Sequence, residues 1–576
     1  MSTDTTAPAE PRPTRLTFGV ELEFLVPFLE EGEDDPLAHI EGLPPVYRVK
    51  ASLREGEGRM RFDDEFIHDG IHELLTSRGL STRIKEYKYD SDFEQEILAE
   101  YTHWRVVDDA SIREVGKEDS GWDVVEDDFV EDASIRGLGK EELPVSWTNK
   151  YSWAGVEVIS PVEHDVPEAF AAIDYARGVL TSAYRCRVNS STGLHVHVGQ
   201  RAERFPLQPI RRIASLIWSA ENLLVTLNHP SRPANYFTRT FRQRSRLARG
   251  RESGPGPWHE ELPRRRADVP GATYAGRPFD EPRLCLHYIA SDLRHGEEPI
   301  SWREMSENNK TEQILAFLET REEGCFDPFQ YIPGTKRDST DSERTIRPGS
   351  PENQIDNVLN KAPNLDKEIA LRAAEMYGSG LEAESPRETF RSRTIPRIRL
   401  PHHTAEELEN FAEKMDPYGG GGLTFKDLAE DPGVWEGVNQ FFQSPSSCDI
   451  EYLLNPGARG YVSFRAYSCS RTIEGEHDRT IEFRGAEGTL GNWVVTWAKI
   501  CIGLVRFAVR APPDEFLRIV SSCDIADKED GIFDIIDLLD AIGLPAEAAA
   551  AEKRIEQNRK AWQLEYVETE EDKGLP

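Results

Sequence analysis

The stretch Arg15–Pro27, "RLTFGVELEFLVP", decides how the rest of the chain reads. Its apolar residues Phe18, Val20, Leu22 and Phe24 alternate with Gly19, Glu21 and Glu23. That is the period of a β-strand, in which residues i and i+2 share a face. One face is therefore apolar, and the other sets Glu21 beside Glu23, roughly 6–7 Å apart by strand geometry. At an effective dielectric near 20, two such charges repel by roughly 2–3 kcal/mol. Such a strand is either an ordinary one with a wet face or half of a cation site, and by itself it does not choose.

Three further segments repeat the pattern. "GVEVISPV" (155–162) presents Glu157 with Val156 and Val158 opposite, and "GLHVHVGQ" (193–200) presents His195 and His197 with Leu194, Val196 and Val198 opposite. "RTIEFRGAEG" (479–488) presents Glu482 and Arg484 with Ile481 and Phe483 opposite. Hard divalent cations take carboxylate oxygens and keep water for phosphate. A neutral imidazole can complete such a site, and an arginine fork suits phosphate oxygens. Taken singly, each strand reads as a solvated face, a surface histidine pair or a same-face ion pair. If all four share one sheet, its polar face becomes a trough lined with groups that bind cations and phosphate.

The composition bounds the partners. A chain of 576 residues has room for several domains or for one large domain with insertions. Its net charge of −34 argues against nucleic acid and anionic membranes as partners. The seven cysteines (186, 285, 325, 448, 469, 501 and 523) are scattered without a CxxC pair, which fits reduced thiols in a cytoplasmic protein. Residues 1–14 are small, polar and Pro-rich and read as a disordered tail, not a signal peptide. No run of about 18 apolar residues marks a membrane span.

Along the chain, "DDEFIHDGIHELLTSRGL" reads as a helix ending at Gly79, followed by a duplicated charged segment, "DASIREVGKED" (109–119) and "DASIRGLGKEE" (132–142). Helices are expected over 167–186, over "IRRIASLIWSAENLLVTLN" with burial on most sides, over "DKEIALRAAEMYGSG", and over "NWVVTWAKICIGLVRFAVRA". Polar, Gly- and Pro-rich linkers near 245–268 and 333–353 lie within an expected insertion at about 240–445, and a Gly run at 419–422 marks another loop. "GYVSFRAYSC" and "RTIEFRGAEG" are expected to pair as a hairpin, and 511–576 reads as an acidic helical extension.

The motifs "FGVELEF", "WRVVDDAS", "VEVISPV", "TGLHVHVG", "RPANYF" and "RTIEFRGAEGTLGNWVVTWAKICIGLV" resemble, in order and wording, those of the amidoligase family. That family belongs to the carboxylate–amine ligase superfamily, with glutamine synthetase and glutamate–cysteine ligase. The resemblance spans about residues 15–510 and implies an α+β catalytic domain. Its core would be a curved antiparallel sheet with helices on the outer face, and its concave face would hold ATP and two or more Mg²⁺ ions. By the resemblance, Glu21, Glu23, Glu157, His195 and Glu482 match metal ligands. His197 matches the histidine near phosphate or substrate, and Arg484 the arginine that meets the transferred phosphate. Arg232, Asn235 and Tyr236 match a motif that contacts nucleotide or substrate, although the same residues also read as a turn closing the preceding helix. Asp109 and Ser111, or their duplicates Asp132 and Ser134, match a substrate-side position, the first pair being preferred because it follows Trp104. Glu163 and Asp109 are candidates for a further acidic ligand.

The implied activity is an ATP-dependent ligase that joins a small-molecule or peptide carboxylate to an amine through an acyl phosphate. Two other readings of the residues stay open: a Zn²⁺ hydrolase built on His195 and His197, and a catalytically silent acidic scaffold. Neither the substrate pair nor the oligomeric state is legible.

Overall fold

The computed structural model describes residues 16–40, 42–50, 63–82, 102–109, 111–112, 150–189, 191–200, 204–235, 237–251, 273–274, 277–278, 393–401, 431–444, 447–456, 459–468, 480–529 and 531–567. Strand β1 (Thr17–Glu30) is the spine of an open eight-stranded sheet. β4 (Ser152–Ile159) and β6 (Gly193–Gly199) flank it, so the opening stretch of the chain ends up central. β3 (Arg105–Val107) extends the sheet beyond β4, and β10 (Ile481–Glu487) and β9 (Val462–Ser463) extend it beyond β6, giving the order β3-β4-β1-β6-β10-β9. β2 (Tyr47–Val49) and β5 (Glu163–His164) also pair with β1. The pairing of β1 with β2 is parallel and the others are antiparallel. A separate ribbon joins β7 (Thr273–Tyr274) to β8 (Arg277–Pro278).

The alternation predicted from sequence becomes two unlike faces. Phe18, Val20, Leu22 and Phe24, with Val156, Val158, Leu194, Val196, Val198, Ile481 and Phe483, are all buried in one core. Helices close that face. In α2 (Pro167–Ala183), Phe170 stacks on Phe18 with ring centroids 4.8 Å apart. α1 (Asp63–Ser77) packs on β3 and β4, and its C-terminal turn passes through Gly79 at φ +83°. α3 (Leu207–Leu224) is buried on most sides, as its apolar pattern predicts. It is covered by α4 (Val434–Gln443), where Gly437 is required because a Cβ there would lie 2.3 Å from the Trp218 ring. After α5 (Ser447–Leu454), α6 (Trp493–Arg510) lies against β6 and α3. The fold is thus a mixed one of helices and a largely antiparallel, open sheet.

Three helices follow: α7 (Pro513–Lys528), α8 (Ile535–Ala541) and α9 (Pro545–Asn558). The margins of the expected insertion, 241–251 and 431–444, contribute buried residues to the core, including Phe241, Leu247, Val434 and Phe441. The expected helix "DKEIALRAAEMYGSG", the 419–422 Gly run and the second Asp-Ala-Ser segment lie outside the described residues. The expected hairpin is shorter than its sequence suggests. Among the described residues β9 and β10 pair through Glu482–Ser463 and Phe483–Val462, with the Arg484 N–H bonded to Tyr461 O beyond them, and on the other side Arg465–Tyr467 wind into a 3₁₀ turn. Cys186, Cys501 and Cys523 are buried and in no disulfide. No helix among the described residues is long and apolar enough to cross a membrane.

Glu163, considered as a further metal ligand, sits on the wrong face. The β1–β4 register pairs Glu21 with Ile159, and continued through Pro161 it would set residue 163 opposite Thr17. Instead Glu163 pairs with Phe18, and a one-residue slip moves a side chain to the other face. The carboxyl therefore lies on the helix-facing side. It is 4% exposed, neither of its oxygens has a hydrogen-bond partner among the described residues, and burial pushes its pKa up to about 8. The unfolded chain ionises this group near its ordinary value, whereas the folded chain holds the proton until about pH 8. The group's contribution is therefore most favourable at low pH, and folding stability falls as pH rises through this window, by roughly 1.4 kcal/mol per unit. Glu163→Gln is expected to remove that slope. Urea unfolding at pH 5 and pH 8 checks it: wild type and variant converge at pH 5 and separate at pH 8, in favour of the variant. Parallel curves would contradict the assignment.

Candidate active site

The register places the polar residues of four strands on one face. Glu23 pairs with Glu157 across β1 and β4, Glu21 with His195 across β1 and β6, and His197 with Glu482 across β6 and β10. Between Phe483 and Ala486 the β10 register shifts by one residue, a β-bulge opposite His195. The bulge returns Ala486 to the core row opposite Leu194 and brings Glu487 opposite Gly193.

Glu21 is the hub. Its Oε2 lies 2.8 Å from His195 Nδ1 and its Oε1 3.0 Å from His197 Nε2. His195 Nδ1 also lies 3.3 Å from Glu23 Oε1, so one imidazole nitrogen stands between the two carboxylates whose repulsion the sequence raises. The other oxygen of Glu23 accepts the Gly193 N–H at 2.6 Å. His197 Nδ1 is 2.9 Å from the Thr480 hydroxyl, and Arg484 donates to Glu482. Among the described residues, two sets of three ligand atoms lie within 4.8 Å of one another: Glu21, Glu157 and His195, and Glu21, His197 and Glu482. Both sets contain Glu21.

Burial and charge divide the carboxyls. Burial, followed by the charges of Glu21, Glu23 and Asp109, pushes Glu157 up to about 10, so at neutral pH it is protonated and shares a hydrogen bond with Glu21. Burial also raises Glu23, in spite of His195 and Arg484. Burial works against ionising Glu21, but the two adjacent imidazoles outweigh it and hold that carboxyl well below the usual range. At Glu482 burial is likewise outweighed, first by Arg484 and then by His197, and its pKa is lowered. Arg484 is raised by its carboxylate neighbours despite burial. The site thus holds ionised carboxylates at Glu21 and Glu482, the second paired with the Arg484 guanidinium, and a protonated carboxyl at Glu157.

Other residues singled out in the sequence fall at the margins. Asp109 follows β3 and acts electrostatically on Glu23 and Glu157, while its Oδ1 accepts the Ser111 N–H at 2.7 Å. Asn235 uses its Oδ1 to accept the Phe237 N–H at 2.8 Å. Tyr236 lies outside the described residues. Arg232 is buried, and its guanidinium donates to the backbone carbonyls of Arg484, Gly485 and Thr192. Each of its three guanidinium nitrogens has a main-chain carbonyl as partner. Sequence reasoning missed Thr480, which no local pattern marks, and Gly193, whose N–H serves Glu23 and whose position admits no Cβ because one would lie 2.7 Å from His195 Nε2.

No curated protein and no solved structure matched the chain. One family model did, over residues 14–259, a span that carries Glu21, Glu23, Glu157, His195 and His197, whereas Glu482 and Arg484 join the same sheet from beyond it. That family is described as "putative amidoligase enzyme", and it is the family whose motifs this chain resembles.

Proposed function

We propose that the protein is an ATP- and Mg²⁺-dependent carboxylate–amine ligase, working through an acyl phosphate on a sheet of the glutamine-synthetase-like type. The observation that carries this reading is the pair of ligand sets sharing Glu21, with Arg484 beside one of them. The donors are mainly carboxylate oxygens with two imidazoles, a set that fits hard cations such as Mg²⁺ better than Zn²⁺, which usually draws more His or Cys. Glu21, Glu157 and His195 would hold one ion, with Glu23 beside His195, and Glu21, His197 and Glu482 would hold a second. Bound Mg²⁺ supplies neutralisation of phosphoryl charge, the main demand of such transfers.

The chain's own residues do the rest. Arg484 is buried and kept charged by Glu482, so it offers a preorganised donor to a phosphoryl group. His197, oriented by Thr480 and Glu21, stands at the same end of the trough. Asp109 and Ser111 lie at the opposite edge, on the side of β3, and are assigned to substrate. In the reaction, a substrate carboxylate oxygen bonds to the γ-phosphorus as the bond to the ADP oxygen breaks. An amine nitrogen then attacks the acyl carbon, phosphate leaves, and the amine gives up a proton. Holding both substrates in one trough removes much of the entropic cost of their encounter.

The test is a screen of carboxylate–amine pairs for nucleotide turnover. ADP and phosphate are expected only when both a suitable acid and a suitable amine are present, with Arg484→Ala lowering the rate at least about a hundredfold, the scale seen when one oxyanion donor is removed. Amide formation without nucleotide consumption would contradict the mechanism.

A further inference from the structure

Arg232 is an unusual residue to find where it is. It is 3% exposed, yet its guanidinium meets three main-chain carbonyls: Nε to Gly485 at 3.3 Å, Nη1 to Thr192 at 3.3 Å and Nη2 to Arg484 at 2.9 Å. Two of those carbonyls belong to the β10 bulge, and the third to the residue that leads into β6. Its own backbone is fixed as well, with its N–H donating to His229 O at 2.9 Å and its carbonyl accepting the Thr238 hydroxyl and the Asn235 N–H. Burying a guanidinium is costly unless it is hydrogen-bonded, and its planar fork gives each of the three nitrogens a carbonyl, a fixed geometry that the point charge of an ammonium does not have.

The bulge it grips includes Arg484 itself. Residues 484 and 485 are the two that oppose the single residue His195, so the backbone that carries the Arg484 side chain is itself part of the bulge. The other side of the bulge is equally confined. A Cβ at Gly485 would lie 2.1 Å from the Tyr461 ring, Tyr461 O accepts the Arg484 N–H at 2.9 Å, and the Tyr461 hydroxyl is held by Asn228 and by Leu224 O. The backbone of Arg484 is thus clasped between Tyr461 and Arg232.

We propose that Arg232 is a positioning residue that acts through Arg484: it clamps the carbonyls of the β10 bulge and thereby aims the Arg484 guanidinium at the phosphoryl group. The inference rests on the ligase reading for what Arg484 meets, and on the hydrogen bonds alone for the clamp. Its test uses the full-length chain with Arg232→Met, Arg232→Lys, Arg484→Met and the Arg232→Met/Arg484→Met double variant. In hydrogen exchange without ligand, amides 484–488 are expected to exchange at least tenfold faster in Arg232→Met, with α6 unchanged, and at the wild-type rate in Arg484→Met. In thermal shift with ATP and Mg²⁺, Arg232→Met is expected to lose the stabilisation as Arg484→Met does, with the double variant no worse than Arg484→Met. Arg232→Lys keeps the charge without the fork and is expected to recover less than half of the shift.

Unchanged exchange at 484–488 would overturn the clamp. Faster exchange with full nucleotide stabilisation, or additive losses in the double variant, would overturn the action through Arg484. Full recovery with lysine would overturn the role of the fork. A wild type that ignores ATP with Mg²⁺ would overturn the ligase reading and the part given to Arg232 in it, and the wild-type curve alone identifies that case.

Discussion

Glu21→Gln is expected to abolish cation binding at both candidate positions and nucleotide binding with it. Glu21 belongs to both ligand sets and hydrogen-bonds both histidines, so no other single carboxylate in the trough is common to them. It is also the carboxyl that the imidazoles keep ionised, whereas Glu157 starts protonated. An amide of the same shape keeps an oxygen but removes the charge, which is what a hard cation binds. A loss of at least about a hundredfold in Mg²⁺ or Mn²⁺ affinity follows, about 2.8 kcal/mol or more on the affinity scale. Glu157→Gln touches one set only and is expected to leave the other ion's binding within a few-fold. Calorimetric titration of each metal into the two variants checks this. Equal losses in both would contradict the shared-hub arrangement.

Arg554→Met is expected to give the largest loss of stability. Arg554 lies on α9 and pairs with Glu487, with side chains only 8% and 9% exposed. Its guanidinium is also packed over the Trp493 ring at 4.5 Å and the Trp562 ring at 5.1 Å. Removing one partner leaves Glu487 buried without its ion-pair partner at the end of β10, where its other oxygen keeps only the long bond from the His229 N–H at 3.4 Å and the more distant charge of Arg232. Breaking a buried pair in this way costs about 3–5 kcal/mol. Replacing both partners, as Arg554→Met/Glu487→Leu, is expected to recover part of that loss, because the desolvation of the orphaned charge disappears. Chemical unfolding of the three proteins measures it. A single-variant cost below about 1 kcal/mol would contradict the pair's role. The pair also ties the helical C-terminal segment to the strand that carries Glu482 and Arg484, so the extension is part of the site's support.

How far the sequence reaches is clear from particular residues. The alternation in 18–24, 156–158, 194–198 and 481–483 settles both the strands and their two faces, because burial of one face is the strongest constraint on a strand. Apolar periodicity likewise places α3 and α6. What the residues cannot supply is phase across an interruption. Glu163 follows Glu157 by an even number of positions and so looks like a member of the same row, but the slip at Pro161 turns it to the helices. The β10 bulge is similar. "IEFRGAE" reads as unbroken alternation, and only Gly485 hints that the strand is interrupted there. Arg232 was legible as a motif residue but not as a clamp, since its partners Arg484 and Gly485 lie some 250 positions away and are main-chain atoms. Backbone acceptors leave no trace in a side-chain pattern.

The measurement that tests the central claim most directly is calorimetric titration of ATP into the full-length chain, with and without Mg²⁺. The two ligand sets around Glu21, with Arg484 beside them, predict binding that requires Mg²⁺ and disappears in Glu21→Gln. Tight Zn²⁺ binding in a protein that takes up no nucleotide with any divalent ion would contradict the account.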